Sequence, residues 1–179
     1  GLANRGVYDL TQHSTHSGKD LRFFDAQTQE RYMPTVIEPS AGADRTALAM
    51  LCDAYHEETV KDDLRVVMRF APKLAPIKAA VLPLVKKDGL AEIAESLEKD
   101  LRRKFNTYYD QAGAIGRRYR RQDEVGTPFC VAIDFETLGE AGPNGEDFTD
   151  TVTVRHRDST EQERVAISEL LPWLLARIV

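Results

Sequence analysis

The chain has 179 residues, of which 42% are apolar and 30% charged, with a formal net charge of −5. That length holds one sizeable core, or one domain and a piece of another, and excludes two compact catalytic domains. The mean hydropathy of −0.41 places it among ordinary globular chains, and the overall acidity argues against a protein that coats nucleic acid indiscriminately.

In chain order, the first regular pattern lies around residues 35–55. Thr35 to Ile37 is β-branched and short, Pro39 and Gly42 break the chain, and Asp44 is a good N-cap. Leu48, Leu51, Cys52 and Tyr55 then recur at the spacing of an amphipathic helix, so a strand, a tight turn and a helix are expected. From His56 to Phe70 the chain is charged, and Pro72 and Pro76 follow, which marks a candidate domain boundary near residue 65. Ile77 to Val85 is a continuous apolar run and predicts a buried strand. Pro83 within it has no N–H to donate, so its nitrogen must face an edge or a bulge.

Asp88 is placed to cap the next helix, whose apolar positions run Leu90, Ile93, Ala94, Leu97, Leu101 and Phe105. Thr107 to Tyr109 is a short β-prone piece, Ala114 to Val125 is expected to be helical, and Phe129 to Phe135 is a second apolar strand. Gly139 to Asp150, with Gly, Pro, Asn and four acids, reads as a loop. Thr151 to Arg157 alternates with period two and predicts an antiparallel pairing. A last helix is expected from near Asp158 or Ser159, burying Ile167, Leu170, Leu171, Leu174, Leu175 and Ile178 and interrupted by Pro172. The order β-α-β-α-β-β-α implies a small mixed sheet with helices on its faces.

Charge is unevenly spread. Between Lys99 and Arg121 stand eight Lys or Arg against two acids, a local net of +6 that leaves −11 for the remainder. A basic stripe on an acidic body suits a particular polyanionic surface, and equally a solvated helix face. Cys52 and Cys130 each lie inside an apolar run without C-x-x-C spacing, so neither a disulfide framework nor a zinc site is expected, and a reducing compartment fits. His13 and His16 can share a helix face but lack a carboxylate or thiol at ligand spacing, so no metal site is expected. The longest apolar runs fall short of a membrane helix, no secretory signal is visible, and a start at Gly1 rather than Met suggests a cut or a cleaved tag.

The segment Glu38-Pro39-Ser40-Ala41-Gly42-Ala43-Asp44-Arg45, leading straight into an apolar helix, resembles motif 3 of the class II aminoacyl-tRNA synthetases. With Glu38 and Ser40 ahead of the glycine, it looks like the glycine-specific members. As a bare pattern, Gly-x-Asp-Arg is also a turn followed by a surface charge. Further stretches are similar to the same family: Gly1 to Arg5 with Tyr8-Asp9-Leu10, Ser17 to Leu21, and Glu30-Arg31-Tyr32 with Pro34 before motif 3. Leu74 to Lys78, Ile115 to Glu124, Gly126 to Cys130 and Arg155 to Ser159 resemble its anticodon-binding domain in order and spacing. The chain departs from the family at Gly139 to Asp150, which is longer than the usual hairpin, and at Val7 and Ala43.

The resemblance implies an α/β fold: a fragment of the antiparallel class II catalytic domain over residues 1–65, then an anticodon-binding domain of small mixed sheet and flanking helices over 66–179. It implies an ATP-dependent enzyme that makes glycyl-adenylate with Mg²⁺ and transfers glycine to its tRNA, as a cytoplasmic homodimer. Glu38 and Ser40 would bind the glycine ammonium. Glycine offers no side chain to grip, so selectivity must come from polar groups at its ammonium and from leaving no room for a Cβ. Arg45 would act on ATP as the catalytic arginine, with Arg5 and Asp9 lining the same pocket.

Motifs 1 and 2 are missing from this chain, which implies neither activity nor native dimerisation in this piece. In the second domain, Arg117, Arg118, Arg120 and Arg121 would hold tRNA phosphates, while Tyr108, Tyr109 or Phe129 would stack on unpaired bases. The aromatics are equally suited to a core, and the arginines to pairing with Asp123 and Glu124. Two other classes of function are a synthetase-derived accessory module that binds nucleic acid without catalysis, and a structural dimerisation domain. The retained Glu38, Ser40 and Arg45 weigh against the first, and the basic stripe against the second.

Overall fold

The structure, a computed structural model, describes residues 1–60, 62–87 and 89–178. The chain divides into two compact units, Gly1–Ala49 and Met50–Val179.

In the first unit, strand β1 (Leu2–Gly6) is followed by helix α1 (Tyr8–Ser17), which Gly18 ends in the left-handed conformation at φ 68°. Strands β2 (Phe23–Asp25) and β3 (Glu30–Tyr32) form a small hairpin, and β4 (Val36–Pro39) returns to pair antiparallel with β1. Helix α2 (Ala43–Ala54) starts in this unit and ends in the next. The expected strand, turn and helix are all present, but Asp44 lies inside the first turn of α2 and not at its cap. None of residues 1–49 is buried. The apolar face that the helical spacing marked out is open, with Leu48 60% and Leu51 48% exposed.

The second unit begins with a hairpin of β5 (Tyr55–Val60) and β6 (Asp63–Met68). Its charged side chains hid it in the sequence, since an ion pair and not an apolar stripe buries its inner residue Arg65. Beyond it lies a five-stranded sheet in the order β11-β10-β9-β7-β8. Strand β7 (Ala79–Pro83) runs parallel to β8 (Thr107–Tyr109) and to β9 (Phe129–Ile133). Strand β10 (Thr151–His156) is antiparallel to β9 and to β11 (Gln162–Ala166). Helices α3 (Leu90–Arg102), α4 (Ile115–Val125) and α5 (Ile167–Ile178) complete the unit, with a 3₁₀ turn at Phe135–Leu138.

The central strands β7 and β9 are buried along their whole length, as their unbroken apolar runs require. Pro83 is the last residue of β7. Leu84 N–H, the next along, bonds Ile133 O on the β9 side, so the Pro83 nitrogen faces the other way, where β8 has already ended at Tyr109. Residues on one sheet face, Ala79, Val81, Phe129, Val131, Val152 and Val154, close the main core with α3 and α5. The opposite face carries the smaller group Ala80, Leu82 and Cys130, covered by Ile115 and Tyr119 of α4.

Two expectations are corrected. The last helix starts at Ile167, because Gln162–Ala166 forms the edge strand β11; only Val165 of that strand enters the core, so its alternation is weak in the sequence. The predicted cap at Asp88 lies outside the described residues, and the N-cap position of α3 is Gly89 in the left-handed region at φ 85°.

Candidate nucleic-acid interface

In the first unit the sequence-predicted residues Arg5, Asp9 and Glu38 come together. One guanidinium nitrogen pair of Arg5 donates to both oxygens of Asp9 at 2.9 Å, and Arg5 Nε lies 3.4 Å from Glu38 Oε2. The antiparallel pairing of Ala3 with Glu38 makes this possible, since it sets β1 beside the residues that precede α2. The hydrogen bonds from Arg5 hold the Asp9 carboxyl below its usual range. Ser40 N–H donates to Gly1 O at 2.9 Å, which fixes the turn into α2. Arg45, in the first turn of that helix, is exposed and forms no ion pair among the described residues. These groups form a polar, open surface, with no wall that would enclose a ligand.

In the second unit α3 and α4 lie on opposite faces of the sheet, so the basic stretch Lys99 to Arg121 is not one surface. Its α3 part is neutralised locally, with Arg102 on Glu98 at 2.7 Å and Arg103 on Asp100 at 3.5 Å. In α4, Arg118 is only 1% exposed. Its guanidinium donates to Pro83 O at 2.6 Å, Leu84 O at 3.0 Å and Asp110 O at 3.1 Å, the carbonyls left open where β7 and β8 end. Arg118 is therefore a scaffold residue and is not presented to a phosphate. Arg121 is exposed on one side and binds Asp110 Oδ2 at 2.5 Å. Burial alone would raise the Asp110 carboxyl; the Ala112 N–H and Arg121 reverse that and bring it below its usual value. Arg117 is exposed, and Arg120 is half-buried with Nη1 enclosed and unpartnered.

The aromatic residues divide in the same way. Phe129 is 5% exposed and packs edge-on against Trp173 and His156, so it belongs to the core and not to a stacking platform. Tyr109 packs against the same core and is partly buried, whereas Tyr108 is exposed. A strand's alternation decides this: Tyr108 and Tyr109 are neighbours in β8 and point to opposite faces.

The concave feature of this unit lies at the carboxyl ends of β7 and β9, beside α4. It is a cleft of about 410 Å³ whose floor is apolar, built by Leu84, Ile115, Tyr119, Ala132 and Phe135. Its rim is polar, with Asp134, Glu136, Glu140, Thr153 and Gln162, and the groove continues past Arg164 on β11. Asp134 organises the rim. It accepts Thr137 N–H at 3.2 Å in a capping box, Thr153 Oγ1 at 3.0 Å and Arg164 Nη1 at 3.0 Å. Arg164 also pairs with Glu136 and lies 4.9 Å over the Phe148 ring, so a residue of the long loop 139–150 clamps it.

An apolar floor under carboxylates, an amide and one fixed guanidinium suits a flat, neutral ring with hydrogen-bonding edges. The acidic rim disfavours a phosphate. Asp134, Glu136, Thr153 and Arg164 were not singled out in the sequence. The available signals were the Asp-x-x-Thr cap after β9 and the polar alternation Thr151, Thr153, Arg155 in a strand whose other residues are core.

Residues 78–177 match the family described as Anticodon binding domain. The chain belongs to that family. Over 99% of its length it is 52% identical to a glycine–tRNA ligase of Treponema denticola and 53% identical to one of Thermobifida fusca. A glycine–tRNA ligase of Corynebacterium glutamicum is 52% identical over the whole chain. The chain spans 39%, 38% and 38% of those three relatives. Among solved structures, the RNA-binding domain of a threonyl-tRNA synthetase from Cryptosporidium parvum aligns over 61% of this chain and 25% of its own, at a TM-score of 0.51 and 23% identity. That likeness concerns the fold alone. The five-stranded mixed sheet with its helices is thus the sheet of an anticodon-binding domain, and the kinship drawn from residues 38–45 extends across both units. No helix among the described residues is long and apolar enough to cross a membrane.

Proposed function

We propose that this chain is the tRNA-reading part of a glycine–tRNA ligase, joined to the closing piece of that enzyme's catalytic domain over residues 1–65. The observation that carries the reading is the cleft beside α4, an apolar floor with a rim of carboxylates and one clamped guanidinium, within the anticodon-binding domain. Glycine codons require cytosines at the second and third anticodon positions. Cytosine presents an amino donor that carboxylates accept, and ring acceptors that a guanidinium meets. Glu136, Glu140 and Gln162 supply the reading edges, Asp134 and Thr153 hold them, and Arg164 donates. Arg117 and Arg121 flank the cleft from α4 and take the adjoining phosphates, with exposed Tyr108 and half-buried Tyr109 beyond.

In the first unit, Glu38 and Ser40 take the glycine ammonium and Arg45 the ATP phosphates, with Arg5 and Asp9 aligning Glu38. The complete absence of buried residues from 1–49 and the open apolar face of α2 support the reading that this unit is part of a larger catalytic domain. The parent enzyme works as a cytoplasmic homodimer with ATP and Mg²⁺. Mg²⁺ would balance the ATP phosphates; Glu38 and Asp9, already paired with Arg5, are not free to bind it here.

The test is binding of this chain to a glycine tRNA transcript and to one with both anticodon cytosines replaced, at two salt concentrations. Each misread base costs about 1–3 kcal/mol, so the replaced transcript is expected to bind roughly tenfold or more weakly. Equal affinity for both, falling together with salt, would reduce the interaction to phosphate contact and favour a non-catalytic accessory module.

A further inference from the structure

The hairpin β5–β6 is attached to the sheet by a buried ion cluster that serves no part of the cleft directly. Asp123, fully buried in α4, is shared by two guanidiniums. Arg65 Nε of the hairpin donates to its Oδ2 at 2.8 Å, and Arg155 of β10 donates to Oδ1 at 2.9 Å and Oδ2 at 3.1 Å. Arg65, 1% exposed, also bonds Glu58 and the Arg157 carbonyl, while Arg157 donates to Gly126 O at 2.9 Å and Phe70 O at 2.8 Å. Gly126 is left-handed at φ 86°, and a Cβ there would stand 2.8 Å from Met68 O, so the end of β6 rests directly on the end of α4.

The same cluster reaches the cleft on its other side. The Arg155 guanidinium lies 4.9 Å over the Tyr119 ring, and Tyr119 forms the cleft floor with Ala132 and Leu84. Thr153, on the same face of β10 two residues before Arg155, forms its rim. A contiguous series therefore runs from cleft floor to Tyr119, Arg155, Asp123, Arg65 and the hairpin. A carboxylate shared by two buried guanidiniums resists small displacements of one without the other, because leaving either charge unpaired in the interior is strongly unfavourable.

We propose that Asp123 couples the cleft to the hairpin: a base seated against Tyr119 fixes Arg155, which fixes Arg65 and with it β5–β6, the segment that continues directly from α2. Arg65 and Asp123 are positioning residues in this arrangement, and it rests on the cleft being the site of base reading.

Amide hydrogen exchange of β5 and β6, with and without a saturating anticodon stem-loop RNA carrying the two cytosines, tests it. In the native chain the RNA is expected to slow exchange in the hairpin about fivefold or more. Arg65→Met should bind the RNA within about twofold of the native chain, since Arg65 does not touch the cleft, yet lose the hairpin response. Tyr119→Leu leaves the hairpin's own ion pairs intact and, at saturating RNA, should also abolish the response; unchanged protection of β7 and β9 verifies that each variant is folded. RNA that binds without slowing the hairpin, or a response that persists in both variants, overturns the coupling. A native chain that binds neither the stem-loop nor its cytosine-replaced form removes the base-reading premise and the coupling with it.

Discussion

The two units of this chain bury their residues in opposite ways, although each contains a helix that the sequence marks as amphipathic. In Met50–Val179, the apolar faces of α3 and α5 close on β7, β9 and β10, and Leu82, Leu90, Leu170 and Leu174 are wholly buried. In Gly1–Ala49, strands and helices form with good local geometry but enclose nothing, and α2 presents Leu48 and Leu51 to solvent. Local pattern is thus enough to set secondary structure, whereas a closed core needs a second apolar layer that the first unit lacks.

The largest expected effect lies in the ion cluster of the second unit. Asp123→Ala leaves Arg65 and Arg155 buried without a counter-charge and should cost about 3–5 kcal/mol, read from denaturant unfolding. A loss below about 1 kcal/mol would mean that the interior of this unit tolerates unpaired guanidiniums.

Next in size is the contrast between the units themselves. Leu174→Ala, in the core, should destabilise by about 2–5 kcal/mol. Leu48→Ala, on the open face of α2, should stay within about 0.5 kcal/mol in this chain. Comparable losses at both positions would show that α2 is covered in solution, by a second copy or by collapse of the first unit.

The smallest effect sharpens the account of the second unit's minor core. Burial pushes the Cys130 thiol and the Tyr119 hydroxyl up, each to about 12. Between pH 9 and 12 the unfolded chain releases protons that the folded chain keeps, so stability falls as pH rises, by up to about 1.4 kcal/mol per pH unit for each group. Cys130→Ala removes the thiol's share, and a melting series from pH 8 to 11 should be flatter for the variant. An identical slope in both would place Cys130 in contact with water.

Much of the second unit was legible because burial on both faces leaves unbroken apolar runs. Ile77 to Val85 and Phe129 to Phe135 mark the central strands, and the spacing from Leu90 to Leu101 marks α3. The hairpin β5–β6 and the edge strand β11 were not legible, because their inward residues are an arginine in one and a single valine in the other. The site divided similarly. Glu38, Ser40 and Arg45 carry a local motif, and the structure sets Glu38 beside Arg5. The arginines of α4 carry charge whose direction only the fold decides: Arg118 turns inward to strand carbonyls, and Arg117 outward. Asp134, Thr153 and Arg164 come from separate strands and meet only through pairing register, which no linear pattern shows.

The most direct test of the central claim, that bases are read in the cleft between α4 and β11, is a map of backbone amide chemical shifts on titration with a cytosine-bearing anticodon loop. The expected result is a cluster of perturbations at Ala132 to Glu136, Thr153 and Gln162 to Arg164, absent with a loop in which the cytosines are replaced. Perturbations confined to Lys99 to Lys104 at the end of α3, on the other face of the sheet, would contradict it.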